Sequence, residues 1–224
     1  MAFNGFTPRA LALLNELPEY DREAFSRAAP IYRSEILEPA KRFVSALGPA
    51  LRGTISSGIE FGAKTNESIA PIHNDLRFYP GTARYRGDLL FRFWEGHDRR
   101  WSPTLSVRVG SARVAFAAGM KFPVDALDRY RAAIDSDGDR LAKPLKRLIR
   151  YSSAEVVAPD LKRVPAPYPP DHPHSDLLRH KSLLVRWFAD PQDSMSGPGL
   201  VTFCRNQLRK GAEVHLWLVD QGRL

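Results

Sequence analysis

The sequence predicts an α+β fold, a largely antiparallel sheet with helices packed mainly on one face and with N-terminal and C-terminal helices. Three observations carry this. Apolar residues step by three or four from Phe25 to Leu51, and again from Val201 to Val219, as on the buried stripe of a helix. Between these stretches, Leu105, Val107 and Val109 alternate with Ser106 and Arg108, and Val114 and Phe116 with Arg113 and Ala115, as in strands with one buried face. The order of elements is helices, several strands, then helices with one late strand, rather than a regular strand–helix alternation.

Thr7-Pro8 opens the first helix: Thr7 is a capping residue, and Pro8 suits the first helical position because its missing N–H would be unpaired there. Leu11, Leu14 and Leu17 follow near helical spacing. Asp21 opens a longer helix whose stripe is Phe25, Ala29, Tyr32, Ile36, Ala40, Phe43, Leu47 and Leu51. Pro30 and Pro39 interrupt it, and each is expected to kink the helix or break it in two. Gly53 is the expected stop. Residues 55–62 begin strand territory, and "LLFRFW" (89–94) reads as a strand. Gly110-Ser111 suits a two-residue turn joining the alternating strands around it into a hairpin. After Pro123, Leu127, Tyr130 and Ile134 share one helical face. A second helix spans roughly 139–150 despite Pro144. The segment 159–176 holds six prolines, which predicts an extended loop. A short helix capped by Ser175 or its neighbour follows, then a strand at 183–188, a loop, and helical pattern from Pro198 with Gly211 as a kink.

With 224 residues and 43% hydrophobic content, the chain is read as one domain over 1–224, with N-terminal helices at about 7–53, sheet and helices at about 54–190, and a C-terminal helix at about 198–220. The net charge of +8 permits an anionic partner such as nucleic acid, a phosphorylated metabolite or a membrane surface, and equally serves solubility. Cys204 is the single cysteine, so an intrachain disulfide is excluded and nothing requires an oxidising compartment. No stretch reads as a signal peptide or a bilayer span, so a cytoplasmic protein with no membrane partner is expected.

The sequence lacks a phosphate-binding GxxxxGK[ST] loop, GxGxxG after a strand, HExxH and GxSxG. Cys204 lies on an apolar helical stripe and reads as core. Asp171, His172 and His174 are metal-capable side chains, but their spacing matches no standard site, and no metal is assigned. His215 falls on a helical stripe and reads as packed. His97 and Trp101 sit in the loop "EGHDRRWSP", where an aromatic residue beside arginines suits either nucleic acid or the folding of the loop itself.

The densest polar stretch is "HNDLRFYPGTARYRG", His73 to Gly87. If 72–78 is extended, His73, Asp75 and Arg77 point to one face. Arg77, Arg84 and Arg86, with Tyr85, are the candidate ligand-binding residues, because guanidinium forks match phosphate or carboxylate oxygens. His73 and Asp75 are the acid–base candidates. The same residues also suit an ion-pair network that only holds the fold.

The run "KTNESIAPIHNDLRFYPGTARYRGDLLFRFWEG" (64–96) resembles the signature of the family called domain of unknown function 2461. Asp75, Arg77 and Phe78 stand at its "DxRF" positions and Tyr85-Arg86 at its "YK" positions. "AAGMKFPVDALDRYRAAI" and "HSDLLRHKSLLV" are also similar to it, so the resemblance runs from about Gly5 to Phe188. The chain departs from the pattern in three places. Asn74 replaces an arginine, Gly81-Thr82-Ala83-Arg84 replaces a turn with lysine, and "LPEYDREAFS" stands where the family has "NNxxWF". The resemblance implies an intracellular α+β protein and supplies no substrate or cofactor.

Three functions compete: an enzyme or binding protein for a small anionic, phosphorylated ligand at the His/Asp/Arg cluster; a non-catalytic interaction or scaffold protein; and a nucleic-acid-binding protein. Reaction type, cofactor and oligomeric state are not legible in the sequence.

Overall fold

The computed structural model describes residues 2–77, 80–111, 113–191 and 196–222. Helix α1 (Pro8–Glu16) starts as expected, with Thr7 Oγ1 accepting the Ala10 N–H at 3.0 Å and Pro8 in the first turn. Asp21 caps α2 (Arg22–Ile31) through the Ala24 N–H. The prolines do not split the helix that follows. A π-helical segment, Tyr32–Leu37, joins α2 to α3 (Glu38–Arg52), so helix runs unbroken from Arg22 to Arg52. In a regular α-helix the Pro39 ring would press on the Glu35 carbonyl. The widened turn, in which the Glu38 N–H reaches the Arg33 carbonyl, relieves that crowding.

The sheet order is β1-β2-β3-β4-β6-β5, antiparallel throughout, with β1 at Ile59–Glu60, β2 at Leu89–Glu95, β3 at Thr104–Val109, β4 at Val114–Lys121, β5 at Glu155–Val156 and β6 at Ser182–Ala189. The β3–β4 turn differs from the expected one. Val109 pairs with Val114, and the Gly110 N–H bonds the Arg113 carbonyl, so Gly110 still pairs across the hairpin and Gly110-Ser111 is not its two-residue turn; Ala112 lies outside the described residues. Both registers bury the same alternating valines, so the burial pattern cannot choose between them.

Helix α4 (Val124–Asp137) meets α5 (Asp139–Ser152) at Gly138. A Cβ there would lie 2.3 Å from the His174 ring, so only glycine lets the proline-rich loop pack against this junction. The short α6 (Ser175–Leu178) has His174 at its cap position and makes no side-chain capping bond; Ser175 lies inside the helix. The C-terminal pattern is two helices, α7 (Gly199–Lys210) and α8 (Ala212–Gly222), parted at Gly211. No helix among the described residues is long and apolar enough to cross a membrane.

One contiguous buried cluster runs from Phe3 to Leu218. Its aromatic members interlock: Phe3, Phe6, Phe43 and Phe91 beside α3, and Phe122, Tyr130 and Trp217 beside α8. The Tyr130 hydroxyl is satisfied by the Leu177 carbonyl at 2.8 Å. Leu89, Phe91 and Phe93 of β2, Leu105, Val107 and Val109 of β3, and Leu183, Val185 and Trp187 of β6 all face these helices and are buried. The alternate residues of the same strands face away from them.

Candidate functional site

The stretch from His73 to Arg86 folds as an irregular hairpin beside the start of β2. His73 bridges Tyr85, the Asn74 N–H bonds the Arg84 carbonyl, and the Arg86 N–H bonds the Ile72 carbonyl. Gly81, at φ +78, supplies the left-handed turn residue. The His73–Asp75–Arg77 strand face does not form, because the chain turns at Leu76 and Arg77. Asp75 causes this. Its Oδ1 accepts the Arg77 backbone N–H at 3.2 Å, an aspartate turn that replaces strand pairing. The Arg77 guanidinium then closes on the same carboxylate at 2.9 and 2.7 Å. That hydrogen-bonded pairing holds the Asp75 carboxyl below the usual carboxylate range. Phe78, the last member of the "DxRF" match, lies outside the described residues.

The remaining cluster residues separate by depth. His73 is exposed and Arg84 half-buried. Tyr85 is buried and stacks on Phe25 with ring centroids 4.3 Å apart. Arg86 is half-buried and donates to the Pro71 carbonyl, while its buried Nε has no partner among the described residues. Burial lowers the Arg86 guanidinium below its ordinary value. Burial also pushes the neighbouring Tyr32 phenol up to about 12, although Arg86 draws it down. This arrangement can hold the hairpin onto the π-helical segment; it does not converge the six predicted residues on one point.

A different set of residues does converge. The face of the sheet turned away from the helices carries a groove of about 990 Å3. Its centre is lined by small residues of β3 and β4, namely Ser106, Ala115, Ala117 and Gly119. Among the described residues its cations are Arg92, Arg99, Arg100, Arg108, Lys121 and Arg186, against a single lining acid, Asp98. Asp88 grips Arg108 at 2.9 and 3.1 Å, and Glu155 pairs with Arg186, so two of these cations are held in place from the groove edge. The loop 97–101 rims the groove, and both the Arg100 guanidinium and the Lys121 ammonium lie over the Trp101 ring, 4.9 and 5.2 Å from its centroid. The hairpin is linked to this set electrostatically: Asp88 raises and Arg108 lowers the Arg86 proton affinity.

Sequence reasoning missed the groove. The usable signal was the outward half of each alternating strand, which is basic or large on β2 and β6 and, apart from Arg108 and Lys121, small on β3 and β4. In the metal-capable loop, His172 and His174 face Asp135 and Asp139 at 3.3 and 3.6 Å. His215 is fully buried, with Nε2 3.3 Å from the Glu95 carboxylate, which also accepts the Ser56 hydroxyl at 2.8 Å. Cys204 is buried, and desolvation pushes its thiol well above the usual range, as a core cysteine requires.

No curated protein matches the chain. The family described as conserved hypothetical protein (DUF2461) matches residues 9–217. That match covers nearly the whole fold, from α1 to α8, and it agrees with the hairpin and strand motifs of 64–96: the chain belongs to the DUF2461 family.

Proposed function

We propose that this protein binds a small phosphorylated ligand on the open, basic face of its sheet. The observation that supports this is the charge of the groove lining, in which Arg92, Arg99, Arg100, Arg108, Lys121 and Arg186 stand against Asp98 as the one lining acid among the described residues, with Asp88 and Glu155 pairing Arg108 and Arg186 from the edge. Such clustering of one sign above a low-dielectric sheet raises the local concentration of anions. Arginine forks and a lysine point charge are the usual phosphate donors. In this reading the hairpin supports the site rather than forming it. Asp75 and Arg77 satisfy each other, Tyr85 is packed on Phe25, and Arg86 and Asp88 lie behind Arg108. His73 and Arg84 flank the turn and remain the hairpin groups open to an anion. Single-stranded nucleic acid is a second reading, favoured by Trp101 beneath Arg100 and Lys121.

The test is thermal stabilisation of the full chain by inorganic pyrophosphate, since binding to the folded state raises the melting temperature. Lys121→Ala is expected to abolish the shift and Arg77→Ala to preserve it, with both variants folded. Loss of the shift in Arg77→Ala alone would move the anion site back to the hairpin. No shift with the unmodified chain would remove the phosphate reading.

A further inference from the structure

We infer that the groove takes a free nucleotide, its phosphates at the end closed by Arg100 and Lys121 and its flat ring on the small-residue floor beside Phe188. The inference rests on the phosphate-binding reading above.

The floor is set by strand pairing. Successive cross-strand rows on the open face read Leu90–Arg108–Ala115–Phe188, Arg92–Ser106–Ala117–Arg186 and Trp94–Thr104–Gly119–Leu184. Large side chains stand on the outer strands β2 and β6, with Arg108 on β3, and small ones occupy β4 in all three rows. The result is a trough with walls about 14 Å apart, the width of three strand spacings, and about 20 Å long from residue 115 to residue 121. A floor of alanine and glycine lets a planar ring lie close to the backbone, where a bulky side chain would hold it off. Along one wall Leu184 and Phe188 are 39% and 44% exposed, an apolar surface that inorganic phosphate or a plain sugar phosphate leaves unused. The Arg113 guanidinium already covers one region of the Phe188 ring, 4.4 Å from its centroid.

The cations at the closed end differ from those along the walls. Arg108 and Arg186 are neutralised by Asp88 and Glu155. Arg100 and Lys121 form no ion pair among the described residues and lean on Trp101 instead. Their loop is preformed: Arg99 donates to the Asn66 and Glu67 carbonyls, the Arg100 N–H bonds Asp98 at 2.8 Å, and the Ser102 hydroxyl bonds the Asp98 carbonyl at 2.6 Å. Uncompensated charge at one end and a flat apolar-walled floor at the other match a molecule with phosphates at one end and an aromatic ring at the other. The same loop stands at the cationic end of the trough, where Arg100 and Ser102 line it. A free nucleotide carries its phosphates at one end, as this placement of charge requires, whereas a nucleic-acid strand carries them along its whole length.

Calorimetric titration of the full chain with inorganic triphosphate, each of the four common nucleoside triphosphates, and a short oligonucleotide distinguishes the cases. At least one nucleoside triphosphate is expected to bind on the order of tenfold more tightly than inorganic triphosphate, the worth of one stacked ring. Phe188→Ala should erase that advantage and leave the inorganic triphosphate affinity unchanged, whereas Lys121→Ala should weaken both. Both side chains are solvent-accessible, and circular dichroism checks that the variants fold. Equal affinity for inorganic and nucleoside triphosphates overturns the nucleotide assignment while leaving the phosphate reading intact. Tighter binding of the oligonucleotide overturns it in favour of a strand. No binding of any of these removes the phosphate reading as well.

Discussion

His180 shows how one buried side chain couples stability to pH. It is 2% exposed, and its Nδ1 lies 3.1 Å from the Ser182 carbonyl. A carbonyl only accepts, so Nδ1 carries the proton of the neutral ring. Burial lowers its pKa from 6.5, outweighing the Ser182 bond and Asp160, which favour the charged form, while Arg179 opposes it. Above the unfolded value both states are neutral and nothing is lost. As pH falls below about 6.5, the unfolded chain gains a proton that the folded chain resists, so stability drops until the folded pKa is passed. Melting temperatures recorded downward from neutral pH are expected to fall less steeply for His180→Gln than for the parent chain. Equal slopes would assign the acid loss to other groups. Neither the burial of His180 nor its tautomer is legible in "LLRHKSLL", because burial depends on tertiary packing and the tautomer on where the Ser182 carbonyl is turned. By contrast, Thr7 was legible as a cap and Asp21 as a helix start, since a cap acts on N–H groups two or three residues away.

Among the elements, β4 is the most constrained, lying between β3 and β6 with small open-face side chains from Ala115 to Gly119. Gly119 is the tightest point: a Cβ there would lie 2.4 Å from the Leu183 carbonyl oxygen and 2.9 Å from Leu184 Cδ1. The nearest obstacle is backbone, which cannot swing aside. Gly119→Ala is therefore expected to destabilise the fold by about 1–3 kcal/mol, the usual cost of overpacking. Urea unfolding measures it, and an unchanged midpoint would show that β4 and β6 part freely. The elements differ in legibility for a related reason. The long helices and β2, β3, β4 and β6 announce themselves by period. The two-residue strands β1 and β5 carry no period, and exist because β2 and β6 offer them edges. The continuous helix through Pro30 and Pro39 was also hidden, since a proline reports a lost hydrogen bond but not how the neighbouring turn adjusts.

For the molecule as a whole, one face of the sheet is closed and the other open. Helices α7 and α8 pack against β4 on the closed face, α7 also against β3 and α3, and α8 against α4 and α5. Phe116 and Trp187 stack beneath them at 5.9 Å. A chain ending at residue 198 would leave these rings uncovered. It is expected to lose cooperative melting, read by calorimetry, and to expose apolar surface, read by dye binding. Retained cooperative melting would show that the N-terminal helices and the sheet suffice.

The sequence by itself determined the α+β class, the helices at both ends, the antiparallel strands, the family, and the hairpin as a dense polar motif. Each of these follows from neighbouring residues, through periodicity, capping or a short motif. Only the tertiary structure decided which face of the sheet stays open and which cations share it. Arg92, Arg108, Lys121 and Arg186 come from four strands and lie far apart in sequence. Strand order and register bring them to one trough, and side-chain chemistry alone does not encode that order. A local turn set Asp75 against Arg77, and packing on Phe25 took Tyr85 into the core.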